Sequence, residues 1–219
     1  GNDVRVASEI ATWMPGYKEL SVGKHLFMTI QWMLSSFANE GKAFFIAIWA
    51  AGFLLLVKSK KAKVYQSLAV VFSVVALLPY AGISFFSEMG IGYIDIEQCL
   101  TELPTWQTMT TQNRIAFFWW IAAVLFTLVL LWKVTGHSVF ISMAFLGGIA
   151  SEAVLHFSPT IYASGARVYY LTDLMYLFII LWMVMHMDSE KKKNLFIAGV
   201  VVLGVANFLS QYSIMLLKL

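Results

Sequence analysis

Long apolar runs separated by short lysine clusters limit what this chain can fold into more than any other feature of its sequence. The runs at 115–134 and 195–217 are the clearest, since a helix rises about 1.5 Å per residue and a bilayer's hydrocarbon core is about 30 Å thick. Hydrophobic residues make up 60% of the 219 and charged residues only 12%, whereas soluble domains usually carry about 25% charged residues. The sequence therefore predicts an integral membrane protein.

Counting the apolar runs predicts an all-α fold, a polytopic transmembrane helical bundle with about six spanning helices. Each run is bounded by charge or by glycine and proline. The first run is short, so its helix is expected to extend into the polar residues at its ends in order to cross the membrane. The six predicted spans are 43–57, 64–87, 115–134, 138–157, 168–187 and 195–217.

The chain divides at residue 42 in this interpretation. Residues 1–42 form an external segment, and residues 43–219 form the bundle with an external loop at 88–114. Within the first segment, residues 20–37 read LSVGKHLFMTIQWMLSSF, with Lys24, His25 and Gln31 scattered through a modest apolar stripe. That mixture favours an amphipathic interfacial or re-entrant helix, with a further crossing as the alternative.

The lysines predict the orientation. They concentrate in the loops 58–63, 133–137 and 188–194, and lysine-rich short loops face the cytoplasm. The N-terminal segment and the loop 88–114 then lie outside. This distribution explains the net charge of +3 without a nucleic-acid partner, so none is predicted.

Glu152 is the most informative single residue, because it interrupts the otherwise uncharged helix VFISMAFLGGIASEAVLHF. An ionised carboxylate in hydrocarbon costs a few kcal/mol, so it is expected to face the bundle interior or a wet cavity. His156, four residues later, and Arg167, beyond the next loop, are its candidate partners. Two interpretations stay open: a buried pair that pins two helices together, or a group that handles substrate or protons.

Arg167 lies in SPTIYASGARVYY, which joins the Glu152 helix to the next one. An arginine at a helix start can bind a phosphate through its planar fork of donors and the nearby backbone N–H groups. Anchoring to lipid headgroups by this arginine and the neighbouring tyrosines is the alternative.

Small residues just before Glu152 predict close helix packing. Ala144 and Gly148 form one pair spaced four apart, as do Gly147 and Ser151, and such pairs let a second helix approach. On the last helix, Asn207 and Gln211 are interpreted as polar links between helices.

No metal or cofactor is predicted. The methionines and histidine at 183–187 are soft ligands, but neighbouring helical positions differ by 100° and their side chains cannot easily converge. Sequence motifs for nucleotide binding, nucleophilic hydrolysis and structural zinc are missing, which disfavours those soluble-enzyme chemistries.

Two short stretches resemble landmarks of a family of bacterial membrane proteins. GNDVR is similar to the end of an Ala-Pro-Gly-Asn-x-x-Arg motif, and SPTIYASGAR is similar to a Ser-Pro stretch followed by an arginine that opens a late helix. Both occur in GT-C-like polytopic glycosyltransferases, which include relatives of O-antigen glucosyltransferases that use lipid-linked sugars. The matching residues are Gly1, Asn2, Arg5, Ser158, Pro159 and Arg167.

The resemblance implies that this chain is similar to the C-terminal half of such a transferase. It would handle a polyprenyl-phosphate sugar at the outer leaflet of a bacterial inner (plasma) membrane, with Asn2, Arg5 and Arg167 binding the lipid phosphate. Glu152 and His156 would hold Arg167 in place. No residue matches the family's catalytic acid, so enzymatic activity is left open and a missing N-terminal half or partner subunit is implied.

Two other functions remain as alternatives. One is a proton-coupled transporter subunit in which Glu152 and His156 relay a proton; the other is a non-catalytic membrane scaffold subunit. A lateral groove lined by Arg5 and Arg167 would favour the transferase, and a continuous polar path past Glu152 would favour transport. A closed, dry bundle would favour the scaffold.

Overall fold

The fold is known from a computed structural model, which describes residues 2–13, 17–81, 111–157 and 169–217. Every regular element in these ranges is helical, which confirms the predicted all-α class. The described residues form the α-helices α1 (Asn2–Trp13), α2 (Val22–Ser36), α3 (Lys42–Leu56), α4 (Lys63–Leu77), α5 (Thr111–Val134), α6 (Val139–His156), α7 (Tyr170–Met185) and α8 (Glu190–Leu217).

Two of these helices are long and apolar enough to cross a membrane. The qualifying segments are Arg114–Val134 in α5 and Glu190–Leu209 in α8. The apolar segments of α3, α6 and α7 are Lys42–Leu56, Val139–Leu155 and Tyr170–Met185, each of at most 17 residues. By length and composition the described residues therefore offer two candidate crossings, and the six-crossing bundle stays a prediction.

The N-terminal segment runs into the bundle without a loop. A π-helical turn, Phe37–Gly41, joins α2 to α3, so helical backbone continues from Val22 to Leu56. Phe27 of α2 stacks on Phe117 near the start of α5, with ring centroids 5.9 Å apart. The predicted boundary at residue 42 thus falls inside a continuous helical stretch, and α2 packs against the first turns of α5.

Proline ends α4 earlier than the apolar run does. The α-helix stops at Leu77 and a 3-10 turn follows at Leu78–Ala81, which contains Pro79. Proline lacks the N–H that an α-helix needs and clashes with the preceding turn. The predicted run 64–87 therefore does not form one uninterrupted α-helix, and its residues 82–87 lie outside the described ranges.

Helix α3 lies at the centre of the bundle, and Phe45 lies in the first turn of α3. The Phe45 ring is fully buried, with centroids 5.6 to 6.1 Å from those of Trp120 on α5, Phe145 on α6 and Tyr176 on α7. Trp49, one turn further along α3, donates a 2.8 Å hydrogen bond from its indole to Thr127 of α5. Aromatic rings in edge-to-face and tilted contacts thus fill the middle of the bundle.

Two of the predicted lysine loops meet at one end of the molecule. Asp188 accepts hydrogen bonds from Lys192 and Lys58, each at 2.8 Å, and these bonds lower its pKa to about 2. Lys192 also donates to the backbone carbonyl of Leu54 at 2.8 Å. We call this the lysine end, and the opposite end, where α6 ends and α3 and α7 begin, the distal end.

Candidate functional site

Glu152 lies one turn before the distal end of α6, with only 2% of the residue exposed. The Ser36 hydroxyl donates a hydrogen bond to the Glu152 carboxylate. Ser36 is the last residue of α2, where the α-helix changes into the π-helical turn. The buried carboxylate therefore links the N-terminal segment to the core of the bundle, as its predicted inward orientation requires.

The carboxylate of Glu152 faces a small polar cavity of about 50 Å³. A buried water needs about 10 to 15 Å³ of such space, so the cavity can hold a few waters or a small ion but not a sugar ring. Its lining residues come from α2, the π-helical turn, α3, α6, α7 and the residue just before α7. They are Ser36, Phe37, Gly41, Phe44, Glu152, Tyr169, Thr172, Asp173 and Tyr176.

Asp173 is the functional candidate that sequence reasoning missed. It lies in the first turn of α7, is half-buried, and lines the same cavity as Glu152. It is the only charged residue of the helix YLTDLMYLFIILWMVM, so the criterion that singled out Glu152 also applies to it. The helix N-terminus favours a carboxylate at this position. Two acidic side chains therefore face one cavity.

Close packing of α6 against α7 positions this cavity. A Cβ atom on Gly148 would lie 3.1 Å from Cε1 of Tyr176, and Thr172 donates a 3.2 Å hydrogen bond to the Gly148 carbonyl. The predicted role of Gly148 in helix contact is confirmed. Gly147 differs, since nothing lies within 4 Å of its added Cβ.

Tyr176 separates the cavity from the rest of the bundle. Its ring lies against Phe45 and Phe145, with centroids 5.6 and 5.7 Å away. Its hydroxyl is buried and has no hydrogen-bond partner among the described residues. Tyr176 also lines the polar cavity, where a water or small ligand within reach of the hydroxyl would satisfy it.

The other predicted site residues are not brought to this cavity by any described contact. Asn2 and Arg5 lie on α1 and His156 is the last residue of α6, but their side chains lie outside the description. Arg167 falls in 158–168, outside the described ranges, together with the Ser-Pro stretch. Glu152 is the only predicted site residue whose side chain lies within the described part of the structure. The convergence of Arg5, His156 and Arg167 on it stays a prediction.

Two further groups of candidate residues lie partly within the described ranges. Met183 is buried and Met185 is 77% exposed, so the two sulfur atoms face different ways. The Tyr80 hydroxyl donates to the Asn207 side-chain oxygen at 2.7 Å, which confirms that Asn207 links helices. No cluster of three or more His, Cys, Asp or Glu side chains occurs within the described ranges.

Comparison with known proteins returned no match among family models, curated proteins or solved structures.

Proposed function

We propose that this chain is a polytopic membrane protein with its lysine end in the cytoplasm. Large apolar side chains are exposed on the outward faces of five helices, where a water-soluble bundle would carry charge. Examples are Val71, Phe118, Phe140, Leu181 and Val202. A surrounding bilayer would cover these side chains, and the shorter helices would reach its interfaces through flanking polar residues.

Cysteine labelling of intact cells tests this orientation. In a background where Cys99 is replaced by serine, single cysteines replace Lys18 near the distal end and Lys61 at the lysine end; both lysines are exposed. We expect a membrane-impermeant maleimide to label Lys18→Cys in intact cells and Lys61→Cys only after permeabilisation. The opposite pattern would reverse the orientation, and release of the protein by alkaline extraction would refute membrane insertion.

We further propose that the distal end handles a polyprenyl-phosphate sugar, as in the GT-C-like transferases that the chain resembles. The observation that supports this most is that Glu152 and Asp173 face one cavity whose wall includes Tyr169, two residues after Arg167. Paired carboxylates would hold a guanidinium in a fixed direction and partly remove it from water, which strengthens its bond to a phosphate.

In this proposal, the size of the cavity determines the role of each residue. The cavity is too small for a sugar, so Glu152 and Asp173 are positioning residues. Arg167, with Asn2 and Arg5, would bind the lipid phosphate, with His156 supporting Arg167.

Arg167→Ala is expected to weaken binding of a purified polyprenyl phosphate at least about tenfold, the effect of losing about 1.4 kcal/mol from one charge-assisted contact. Arg167→Lys should retain part of the affinity because the charge remains. Lys24→Ala, which removes an exposed cation from α2, is the matched control. Binding can be measured by tryptophan fluorescence in detergent micelles, with thermal unfolding as a check on the fold. Unchanged affinity in Arg167→Ala would remove this function.

A non-catalytic scaffold is the second candidate, and the aromatic core favours it over proton transport. Between the cavity and the lysine end, the middle of the described bundle is filled by rings that include Phe45, Phe145 and Trp49. Such a layer does not carry protons. Glu152→Gln distinguishes these two functions. It should abolish pH-dependent transport if Glu152 relays protons, and it should leave the assembly intact if the chain is a scaffold.

A further inference from the structure

Two polar contacts fasten helix α8 to the rest of the bundle. At the lysine end, Lys192 donates to the Leu54 carbonyl at 2.8 Å. Toward the distal end, the Tyr80 hydroxyl donates to Asn207 at 2.7 Å. The part of α8 between these contacts does not close onto α3 and α4, and it leaves a groove.

The groove has a volume of about 640 Å³ and an almost wholly apolar lining. Its walls include Ile46 and Phe53 of α3, Leu77 of α4, and Gly199 and Leu203 of α8. Ser73 is the one polar lining residue within the described part of the chain. Water in this groove would find almost no hydrogen-bond partners, so a hydrocarbon chain suits it better.

The length of the groove matches that of one extended acyl chain. The lining residues of α8 run from Leu195 to Ala206, which is about 16 Å of helix at 1.5 Å per residue. Half of the hydrocarbon core is about 15 Å. An acyl chain of a bilayer lipid fits this length, whereas a long polyprenyl chain would extend well beyond it.

A cation lies at the distal end of the groove. Lys42 precedes the lining residue Ile46 by one turn of α3 and therefore shares its face. Its ammonium lies 4.7 Å from the centre of the Tyr80 ring, beside the Tyr80–Asn207 hydrogen bond. Lys42 forms no ion pair with any described residue. A positive charge at the mouth of an apolar groove is complementary to an anionic lipid headgroup.

We propose that this groove binds one anionic phospholipid of the surrounding bilayer, with an acyl chain along α8 and its phosphate against Lys42. The inference rests on the proposed membrane insertion but is independent of the Arg167 site. The lipid would fill the gap between α8 and α3 and so add to the stability of the bundle by mass action.

Two pairs of matched substitutions test the proposal by native mass spectrometry of the delipidated protein titrated with phosphatidylglycerol. Gly199→Leu adds a side chain inside the groove, while Gly204→Leu makes the same change outside its lining; nothing lies within 4 Å of a Cβ at either glycine. Lys42→Met removes the cation, with Lys24→Met as its control. We expect Gly199→Leu and Lys42→Met to weaken binding at least about tenfold, and both controls to bind as the unsubstituted protein does.

The unsubstituted protein supplies a second measurement that does not depend on how variants fold. It is expected to prefer phosphatidylglycerol to phosphatidylcholine. Equal retention of phosphatidylglycerol by the two glycine variants would overturn the groove assignment. Equal affinity for both phospholipids would show a non-specific lipid shell and overturn the headgroup assignment. Arg167→Ala should leave phosphatidylglycerol binding unchanged, so failure of the transferase proposal is distinguishable from failure of this one.

Discussion

Replacing Gly148 with leucine is expected to destabilise the helical bundle by about 3 kcal/mol, the upper part of the usual range for overpacking a well-packed core. A Cβ at this position already lies 3.1 Å from Cε1 of Tyr176 and 3.6 Å from Cβ of Met175. The further carbons of leucine would push α6 and α7 apart. The hydrogen bond from Thr172 to the Gly148 carbonyl would break with them, and the wall of the carboxylate cavity would be displaced.

Gly147→Leu is the control, because nothing lies within 4 Å of a Cβ at the neighbouring position. We expect it to change the free energy of unfolding by less than about 0.5 kcal/mol, as is usual for outward-facing positions. Unfolding in mixed detergent and dodecyl sulfate micelles, followed by circular dichroism, measures both variants. Equal destabilisation by the two leucines would mean that α6 does not approach α7 through Gly148.

The positions of most helices could be predicted from the sequence, because apolar runs and their charged boundaries are local properties. Helix α1 was not predicted, because residues 2–13 contain no such run. The runs 115–134 and 138–157 correspond closely to α5 and α6. The meeting of two lysine loops at one end was also predictable, since antiparallel neighbours with short connections place alternate loops together. Lys58, Lys192 and Asp188 make that contact directly.

The partners of each helix could not be predicted, because helices that are apolar on every side carry little information about which face turns inward. The contact between Ser36 and Glu152 joins residues far apart in the chain, and nothing local in α2 specifies it. The π-helical turn could not be predicted either, because the segment FANEG has no residue pattern that distinguishes a turn from a continuing helix. Asp173 differs from these residues, because its isolated charge is visible in the sequence near the predicted start of the run 168–187.

The cavity and the groove lie on two faces of the same helix. Gly41 and Phe44 face the carboxylates, whereas Ile46 and Ala47 face the apolar groove. Substitutions in α3 can therefore affect both sites, whereas the matched glycine substitutions lie on α6 and α8. Lys42 lies on α3, but it is absent from the cavity lining.

Glu152→Ala is expected to lower the free energy of unfolding by about 3 kcal/mol, because it removes the buried acceptor of the Ser36 hydrogen bond and leaves that hydroxyl without this partner. Ser36→Ala should cost about 1 kcal/mol, the usual net value of one hydrogen bond. In the double variant the two losses should not add, because both remove the same bond. Glu152→Gln keeps an oxygen acceptor for Ser36 and should cost less than Glu152→Ala.

Glu190→Ala is the matched control for a surface carboxylate. Glu190 pairs with Lys193 at 2.7 Å but its side chain is 79% exposed, so its removal should cost about 0.5 kcal/mol or less. Unfolding in mixed micelles gives all five free energies under one set of conditions. Strict additivity of Ser36→Ala and Glu152→Ala would mean that the hydroxyl and the carboxylate do not interact. The N-terminal segment would then be held to the core by its apolar contacts alone, and the cavity would lose the polar link that positions Glu152.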